Sequence, residues 1–238
     1  MELDVSAAFG TIHATQHGAP DRPLVLGLHG LTGTRKQVAR IGSCAADSEL
    51  RFVALDLRGR GASDRTPAGT YGWANHARDV VAVADALGAT RFAVVGVSMG
   101  GSIAMTTAGL IGERLTAVVL VDVAGRVDPG VGSVVAGIIS ATDSTGVDLV
   151  AVAEDRAYTT TQDPYARWQH LTMPTLLVRA RREIRPGSGH VVPADDRDRF
   201  AATVPGSTVV EVDATHLSIS DHEHTAGAIA DFLIGHAT

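Results

Sequence analysis

A serine flanked by glycines is the first stretch of this sequence that could carry out chemistry. The segment Gly96-Val97-Ser98-Met99-Gly100 has the spacing G-x-S-x-G, which occurs where a strand turns abruptly into a helix and pushes the serine hydroxyl clear of the sheet. The glycines permit this turn because no Cβ obstructs the backbone. A hydroxyl at a helix N-terminus is favoured as an oxyanion. Ser98 is therefore a candidate nucleophile, although the pattern alone also occurs in turns with an incidental serine.

The elements that must position Ser98 are predicted from the hydrophobic pattern. Short apolar and β-branched runs predict about eight strands, at residues 5–9, 11–15, 23–29, 51–56, 91–95, 115–121, 174–180 and 208–212. Helices are predicted at 35–47, 73–87, 100–111, 194–204 and 223–234. This alternation indicates a mostly parallel sheet covered by helices on both faces. Such sheets bind ligands at the carboxyl ends of their strands, so Leu31 and Ser98, which both follow strands, are expected on one side.

Composition limits the classes of protein to which the chain can belong. Its 238 residues, 45% of them hydrophobic, suffice for one large domain. The net charge of -6 disfavours a nucleic-acid partner. Cys44 is the single cysteine, which excludes an intrachain disulfide and a cysteine-based metal site. We expect a cytoplasmic protein without membrane association, because the sequence has neither the basic start and apolar run of a signal peptide nor a stretch of membrane-spanning length.

The alternation of strands and helices breaks at residues 123–172. This interval predicts two or three short helices with many apolar positions, among them Val131, Val134, Val135, Ile138 and Ile139. Most of these side chains are expected to pack the helices onto the rest of the domain, and some are expected to line a pocket.

The order of several motifs identifies the chain as resembling the α/β-hydrolase superfamily. These motifs are His29-Gly30 after the third strand, the glycine-punctuated loop 56–64, residues 96–101, and the late His216. They span nearly the whole chain and are specific for the fold, but not for a substrate. The resemblance implies the α/β-hydrolase fold, with a core formed by residues 1–122 and 174–238 and a small helical cap inserted at 123–173.

The resemblance also selects a base and two candidate acids. A serine hydroxyl needs a base within hydrogen-bond reach, and of ten histidines His216 follows the final strand, from which the superfamily's histidine reaches the serine. Glu183 stands nine residues after the proline that opens a strand, where the superfamily most often has its acid. Asp122 ends the preceding strand, where a minority of members, including some haloalkane dehalogenases, have theirs.

Neither acid is favoured over the other by the sequence. Glu183 is Glu where Asp is usual, and the arginines around it, Arg181, Arg182 and Arg185, could reduce it to a surface ion pair. An aspartate at the end of a strand, such as Asp122, is often a turn or capping residue. The orienter of His216 is therefore left open between Asp122 and Glu183.

The resemblance assigns the oxyanion hole to the backbone amides of Leu31 and Met99. The segment 30–34 is glycine-rich but lacks the lysine and spacing of a phosphate-binding loop, so it is interpreted as a backbone donor loop. His29 is expected to order that loop rather than to titrate. In the charged loop 56–64, Arg58 and the two aspartates are expected to hold the loop by ion pairs and hydrogen bonds.

These features together predict a serine hydrolase that acts on a small-molecule apolar ester or lactone. No metal or nucleotide motif is present, so no cofactor is expected. A serine at position 98 argues against the branches of the superfamily that use a carboxylate nucleophile, the dehalogenases and epoxide hydrolases. The alternatives are carbon–carbon bond hydrolysis, acyl transfer or perhydrolysis by the same triad, and a non-catalytic receptor for a small molecule. A homodimer is one assembly that the sequence leaves open.

Overall fold

A single eight-stranded sheet forms the centre of the molecule. The computed structural model describes residues 1–143, 145–161 and 163–237. The strands are β1 (Glu2–Ala7), β2 (Gly10–His17), β3 (Leu24–Leu28), β4 (Arg51–Leu55), β5 (Phe92–Val97), β6 (Leu115–Val121), β7 (Thr175–Ala180) and β8 (Ser207–Val212). Their order in the sheet is β1-β2-β4-β3-β5-β6-β7-β8. β2 pairs antiparallel with β1 and β4, and all other pairs are parallel.

The central strands are buried along their whole length. Every residue of β3, β5, β6 and β7 is buried, as expected for parallel strands that helices cover on both faces. β2 instead alternates between buried and half-buried positions, because it lies near the edge of the sheet and one of its faces is less covered. The predicted mostly parallel sheet is confirmed.

The described residues contain seven α-helices. They are α1 (Ala39–Asp47), α2 (Trp73–Ala86), α3 (Met99–Ile111), α4 (Pro129–Ser140), α5 (Leu149–Thr161), α6 (Ala194–Thr203) and α7 (Glu223–Ile234). α1 and α7 pack against one face of the sheet, around Phe52 and Val119. α2, α3 and α6 cover the other face, around Leu26 and Leu120. Successive side chains of a strand point to opposite faces of the sheet, so alternate residues of the central strands pack into the two cores.

Two element boundaries differ from the prediction in ways that matter for the site. The predicted helix 35–47 begins as a 3₁₀ turn at Arg35–Val38 and becomes α-helical only from Ala39. β5 runs two residues past the predicted end at 95, because Gly96 and Val97 still pair with Leu120 and Val121 of β6. The strand therefore leads directly to Ser98.

The interval between β6 and β7 holds α4, α5 and a short 3₁₀ turn at Trp168–His170, in agreement with the two or three short helices predicted. α4 exposes or half-buries all of its residues except Val131. Among the residues that the structure describes, none of the helices is long and apolar enough to cross a membrane.

Candidate active site

Ser98 lies in a strained turn between β5 and α3. Its backbone has φ +52 and ψ −117, a region that residues with a side chain seldom adopt. The turn is tight because neighbouring backbones come close. A Cβ on Gly96 would lie 2.3 Å from the carbonyl carbon of Gly100, and one on Gly100 would lie 2.4 Å from the Leu28 oxygen. The glycines are therefore required here, and the turn presents the Ser98 side chain above the carboxyl end of the sheet.

His216 lies in the loop after β8 and contacts Ser98 directly. Its Nε2 is 3.1 Å from Ser98 Oγ, and its Nδ1 is 2.9 Å from Asp122 Oδ2. A carboxylate only accepts hydrogen bonds, so the imidazole is protonated at Nδ1, and this N–H donates to Asp122. Nε2 is then free to accept the hydroxyl proton of Ser98. The three residues form one chain of hydrogen bonds from the Ser98 hydroxyl to the Asp122 carboxylate.

Asp122 is held rigidly at the end of β6. The residue has φ +51, its side chain is buried, and its N–H donates to the Val178 carbonyl at 2.7 Å. Its Oδ1 accepts from the N–H of Ala180 at 2.9 Å, while Oδ2 faces His216. Because both carboxylate oxygens have fixed partners, the side chain cannot rotate away from the imidazole.

Glu183, the other candidate acid, is engaged elsewhere. It accepts hydrogen bonds from the backbone N–H groups of Gly187 at 2.6 Å and Gly189 at 3.1 Å. The side chain thus closes its own loop. The nearby guanidinium groups of Arg181 and Arg182 approach Asp213, at 3.9 and 3.6 Å. Of the two carboxylates that the sequence left open, the structure brings Asp122 against His216, while the recorded partners of Glu183 lie within its loop.

The segment after β3 lies beside Ser98, and its peptides are held in place. A Cβ on Gly30 would lie 3.5 Å from the Ser98 Cβ. The Gly30 N–H donates to Gln37 Oε1 at 2.7 Å, and the Gly30 carbonyl accepts from His29 Nδ1 at 2.7 Å. In a trans peptide the carbonyl and the next N–H point in opposite directions, so the bond from His29 also sets the direction of the Leu31 N–H. Met99, the other predicted donor, is the first residue of α3.

His29 is a neutral, structural histidine, as the sequence predicted. It is fully buried, and burial, together with the charge of Arg60, lowers its pKa to about 4. Nδ1–H donates to the Gly30 carbonyl, and Nε2 accepts the N–H of Leu57 at 3.0 Å. Both ring nitrogens are therefore used to fix the backbone around the site.

A small cavity of about 130 Å³ opens at Ser98 and His216. Apolar side chains form much of its lining, namely Leu31 after β3, Leu217 after β8, and Val135, Ile138 and Ile139 of α4. A larger cleft of about 650 Å³ lies elsewhere and is lined by residues such as Tyr165, Trp168 and Arg199. Neither Ser98 nor His216 lines that larger cleft, so the smaller cavity is the candidate active site.

Ion pairs and hydrogen bonds of Arg58, Asp56 and Asp64 hold the loop 56–64, as the sequence predicted. Arg58 forms its buried ion pair with Asp79 of α2, with Nε 2.6 Å from Oδ2, and not with an aspartate of the loop. Asp56 instead accepts from the backbone N–H of Arg35 at 2.6 Å, and Asp64 from that of Thr11 at 2.8 Å. The partner of Arg58 lies on a helix that follows the loop, so the sequence alone did not identify it.

A second buried polar cluster near the site had no signal in the sequence. Arg60 Nη1 is 2.7 Å from Asp155 Oδ2, and His76 Nε2 is 3.0 Å from the same oxygen. All three side chains are inaccessible to solvent. They come from a loop, from α2 and from α5, so no local pattern could join them.

Comparisons with known proteins agree with this architecture. A family model described as "alpha/beta hydrolase fold" matches residues 23–133. A curated protein from Danio rerio described as "Serine hydrolase-like protein" is 35% identical over 120 residues, which cover 49% of this chain and 34% of that protein. The aligned stretch thus spans about a third of that relative's length.

Solved structures match over nearly the whole chain. An enol-lactonase from Burkholderia xenovorans LB400 has a TM-score of 0.80 at 20% identity, covering 95% of this chain and 98% of that one. An esterase from Exiguobacterium antarcticum has a TM-score of 0.80 at 17% identity, covering 98% and 99%. A thermophilic esterase from Thermogutta terrifontis has a TM-score of 0.80 at 21% identity, covering 100% of both chains. At these identities the likeness shows a common fold.

Proposed function

We propose that this chain, which has the α/β-hydrolase fold, is a cofactor-independent serine hydrolase that cleaves a carboxylic ester or lactone. One observation carries this proposal: the continuous hydrogen-bonded chain from Ser98 through His216 to the buried Asp122. A serine, an imidazole and a carboxylate in this order are the parts that nucleophilic acyl transfer needs. The esterase and enol-lactonase among the structures of the same fold give the proposal further support.

The proposed reaction has two acyl-transfer steps. In the first, Ser98 Oγ attacks the carbonyl carbon while His216 Nε2 takes the hydroxyl proton, and the proton then passes to the departing alcohol. In the second, water attacks the acyl-enzyme, gives a proton to His216 and releases the acid as the Ser98 hydroxyl is restored. With a lactone the leaving alcohol stays attached to the acid, so a hydroxy acid is the product.

Asp122 is proposed as the carboxylate that orients His216. Its charge would hold the imidazole in the Nδ1–H form and stabilise the imidazolium that forms during the attack. Glu183 is proposed to have no catalytic role, because its oxygens accept from Gly187 and Gly189. The amides of Leu31 and Met99 are proposed to receive the negative charge that develops on the carbonyl oxygen.

The cavity points to a small and uncharged acyl group. A volume of about 130 Å³ lies below the roughly 300–1,000 Å³ of pockets that enclose a drug-sized ligand. The side chains of Val135, Ile138 and Ile139 offer only apolar surface. We propose that residues 123–173 form a cap over the body made of residues 1–122 and 174–238. A cytoplasmic location and a homodimer stay predictions from the sequence.

Covalent labelling tests the proposed nucleophile. Wild type, Ser98→Ala and Ser102→Ala would be exposed to a fluorophosphonate, examined by intact-mass analysis, and assayed with short p-nitrophenyl esters. We expect a single adduct and ester turnover in wild type, neither in Ser98→Ala, and both in Ser102→Ala. The control serine lies one helical turn further along α3, so it reports on nonspecific damage to the helix. A folded wild type that neither reacts nor turns over ester would refute the proposed function.

A further inference from the structure

Arg60 connects two parts of the molecule that the proposed mechanism treats separately. On one side, its Nε and Nη2 lie 3.2 and 3.1 Å from the carbonyl oxygen of Leu31, and both donate to it. On the other side, its Nη1 is 2.7 Å from Asp155 on α5. A single buried guanidinium therefore bonds both to the loop that holds a proposed oxyanion donor and to a helix of the proposed cap.

The contact with Leu31 bears on the direction of its N–H. The Gly30 carbonyl is held by His29, and the Leu31 carbonyl is held by Arg60. These carbonyls belong to two successive planar peptides, so fixing both leaves the Leu31 N–H little freedom. A donor that stabilises an oxyanion must already point at the place where the charge develops. The planar fork of an arginine suits this task better than the single ammonium of a lysine.

Asp155 is itself fixed, so it can hold Arg60 in turn. Its Oδ1 accepts from the backbone N–H of Gly72 at 2.8 Å, and its Oδ2 is 3.0 Å from His76 Nε2. Burial acts to raise the pKa of Asp155, but the hydrogen bonds and charges of His76 and Arg60 prevail and lower it. The carboxylate is therefore kept ionised opposite the guanidinium.

The backbone around Arg60 is also hydrogen-bonded to the segment that precedes α5. Arg60 forms an antiparallel bridge with Val147. Gly61 N–H donates to the Gly146 carbonyl at 2.7 Å, and Asp148 N–H donates to the Gly59 carbonyl at 2.7 Å. A shift of the start of α5 would thus be passed on to Arg60 through main chain as well as side chain.

We infer that Arg60 is a positioning residue, which couples the placement of α5 to the geometry of the oxyanion donor at Leu31. The inference rests on the proposed function, since it presumes that the Leu31 N–H stabilises an oxyanion. It predicts that Asp155, which does not line the active-site cavity, affects the rate of the chemical step through Arg60.

Steady-state kinetics of Arg60→Lys and Asp155→Asn test the coupling. Arg60→Lys keeps a positive charge opposite Asp155 but loses the two-pronged bond to Leu31, and Asp155→Asn keeps the shape of the side chain but loses its charge. Because small misplacements of a catalytic group are costly, we expect kcat to fall about tenfold or more while KM changes by less than about twofold. Inhibition by a trifluoromethyl ketone, which forms a charged tetrahedral adduct, should weaken by the same factor as kcat/KM.

Two neighbouring variants serve as matched controls. Arg58→Lys alters another buried arginine of the same loop, whose partner Asp79 lies on α2. Glu154→Gln alters the preceding carboxylate of α5, which anchors the helix through the N–H of Gly69 at 2.7 Å. Both controls are expected to keep kcat within about twofold of wild type, even if their melting temperatures fall.

The outcomes separate the inference from the proposed function. Folded Arg60→Lys and Asp155→Asn with wild-type kcat, beside an active wild type, would overturn the coupling alone. Equal losses of kcat in the two controls would overturn it as well, because any loosening of the loop or cap would then suffice. If Arg60→Lys does not fold, the isosteric Asp155→Asn decides. A wild type that has no ester turnover and no labelled serine would remove the proposed function, and the coupling with it.

Discussion

The two helices inserted between β6 and β7 are attached to the same body by contrasting means. α5 is bound by directional polar contacts, because Asp155 meets Arg60 and His76 out of solvent and Glu154 accepts from the backbone of the 69–71 segment. α4 buries only Val131 among its residues, and it turns Val135, Ile138 and Ile139 toward the active-site cavity.

This contrast predicts different roles for the two helices at the site. A buried charge that leaves its partner costs several kcal/mol, so α5 has one favourable position. Apolar contacts depend on area and not on direction, so α4 can present different side chains without disturbing what holds the body together. We therefore expect changes at Asp155 of α5 to affect stability and rate, and changes in α4 to affect which substrates fit.

The largest effect on kcat is expected at Asp122, which precedes both helices in the chain. Asp122→Asn is expected to lower kcat by about 10⁴, because an amide beside Nδ1 favours the wrong tautomer of His216. Glu183→Gln serves as the matched change in the other candidate acid, and its kcat should stay within about twofold. Ester hydrolysis measured on both folded variants checks this, and a greater loss in Glu183→Gln would reverse the assignment.

Removing the anchor of α5 should have the next largest effect, on stability. Asp155→Ala leaves Arg60 and His76 buried without their carboxylate, and we expect the free energy of unfolding to fall by about 3–5 kcal/mol. Glu154→Ala, whose side chain is only half-buried, should cost about 1 kcal/mol or less. Urea unfolding followed by circular dichroism measures both. Equal small losses would mean that the buried charges do not fix α5.

Acid should lower the free energy of unfolding through His29, which fixes the backbone beside the site. Its folded pKa of about 4 lies below the ordinary 6.5, so the unfolded chain binds the proton more readily between these values. The stability that the neutral His29 contributes is then complete above about pH 6.5. It is lost as the pH falls toward 4, which lowers the free energy of unfolding by up to about 3 kcal/mol. Burial also lowers the pKa of His17, which adds to the loss in the same direction.

Variants of single histidines isolate the part that His29 contributes. His29→Gln should show a flatter dependence of unfolding free energy on pH between 4 and 6.5, whereas His224→Gln, at an exposed position, should follow wild type. Urea titrations across this pH range would measure the slopes. A wild-type slope in His29→Gln would show that other groups cause the acid sensitivity.

The smallest energetic effects are expected in α4, where selectivity should change instead. Ile138→Ala enlarges the cavity, and we expect kcat/KM for longer acyl chains to rise by about threefold to tenfold relative to acetate esters. Because the side chain is only half-buried, the loss in stability should stay near 1 kcal/mol. Val134→Ala changes the same helix at a half-buried position that does not line the cavity. An identical shift in chain-length preference there would argue against α4 as the selectivity element.

The sequence predicted most of the fold because its signals are local. The alternation of apolar runs and amphipathic segments located all eight strands of the sheet, and the glycines around Ser98 located the turn. The predicted helix 223–234 coincides with α7. Boundaries shifted where pairing decided them, as at Val97, since the length of a strand depends on the neighbour to which it bonds.

The site was harder to predict because its decisive contacts are between distant residues. Asp122 and Glu183 both follow strands and look alike locally. What separates them is that Asp122 accepts from Ala180 in the next strand while Glu183 is turned into its own loop. The cluster of Arg60, His76 and Asp155 draws on three segments of the chain, so a single sequence could not reveal it.

The long sequence separation between Ser98, Asp122 and His216 has a consequence for folding. His216 is 118 residues from Ser98 and 94 residues from Asp122 along the chain. Closing loops of this length costs conformational entropy and slows folding, whereas the turn at Ser98 and α3 need only local contacts. In the proposed mechanism Ser98 is activated by His216, so activation requires that β8 has first paired with β7 and brought the loop that follows it to Ser98. During refolding, the time at which Ser98 becomes reactive would therefore report when the sheet is complete, and not when the chain collapses or forms helices.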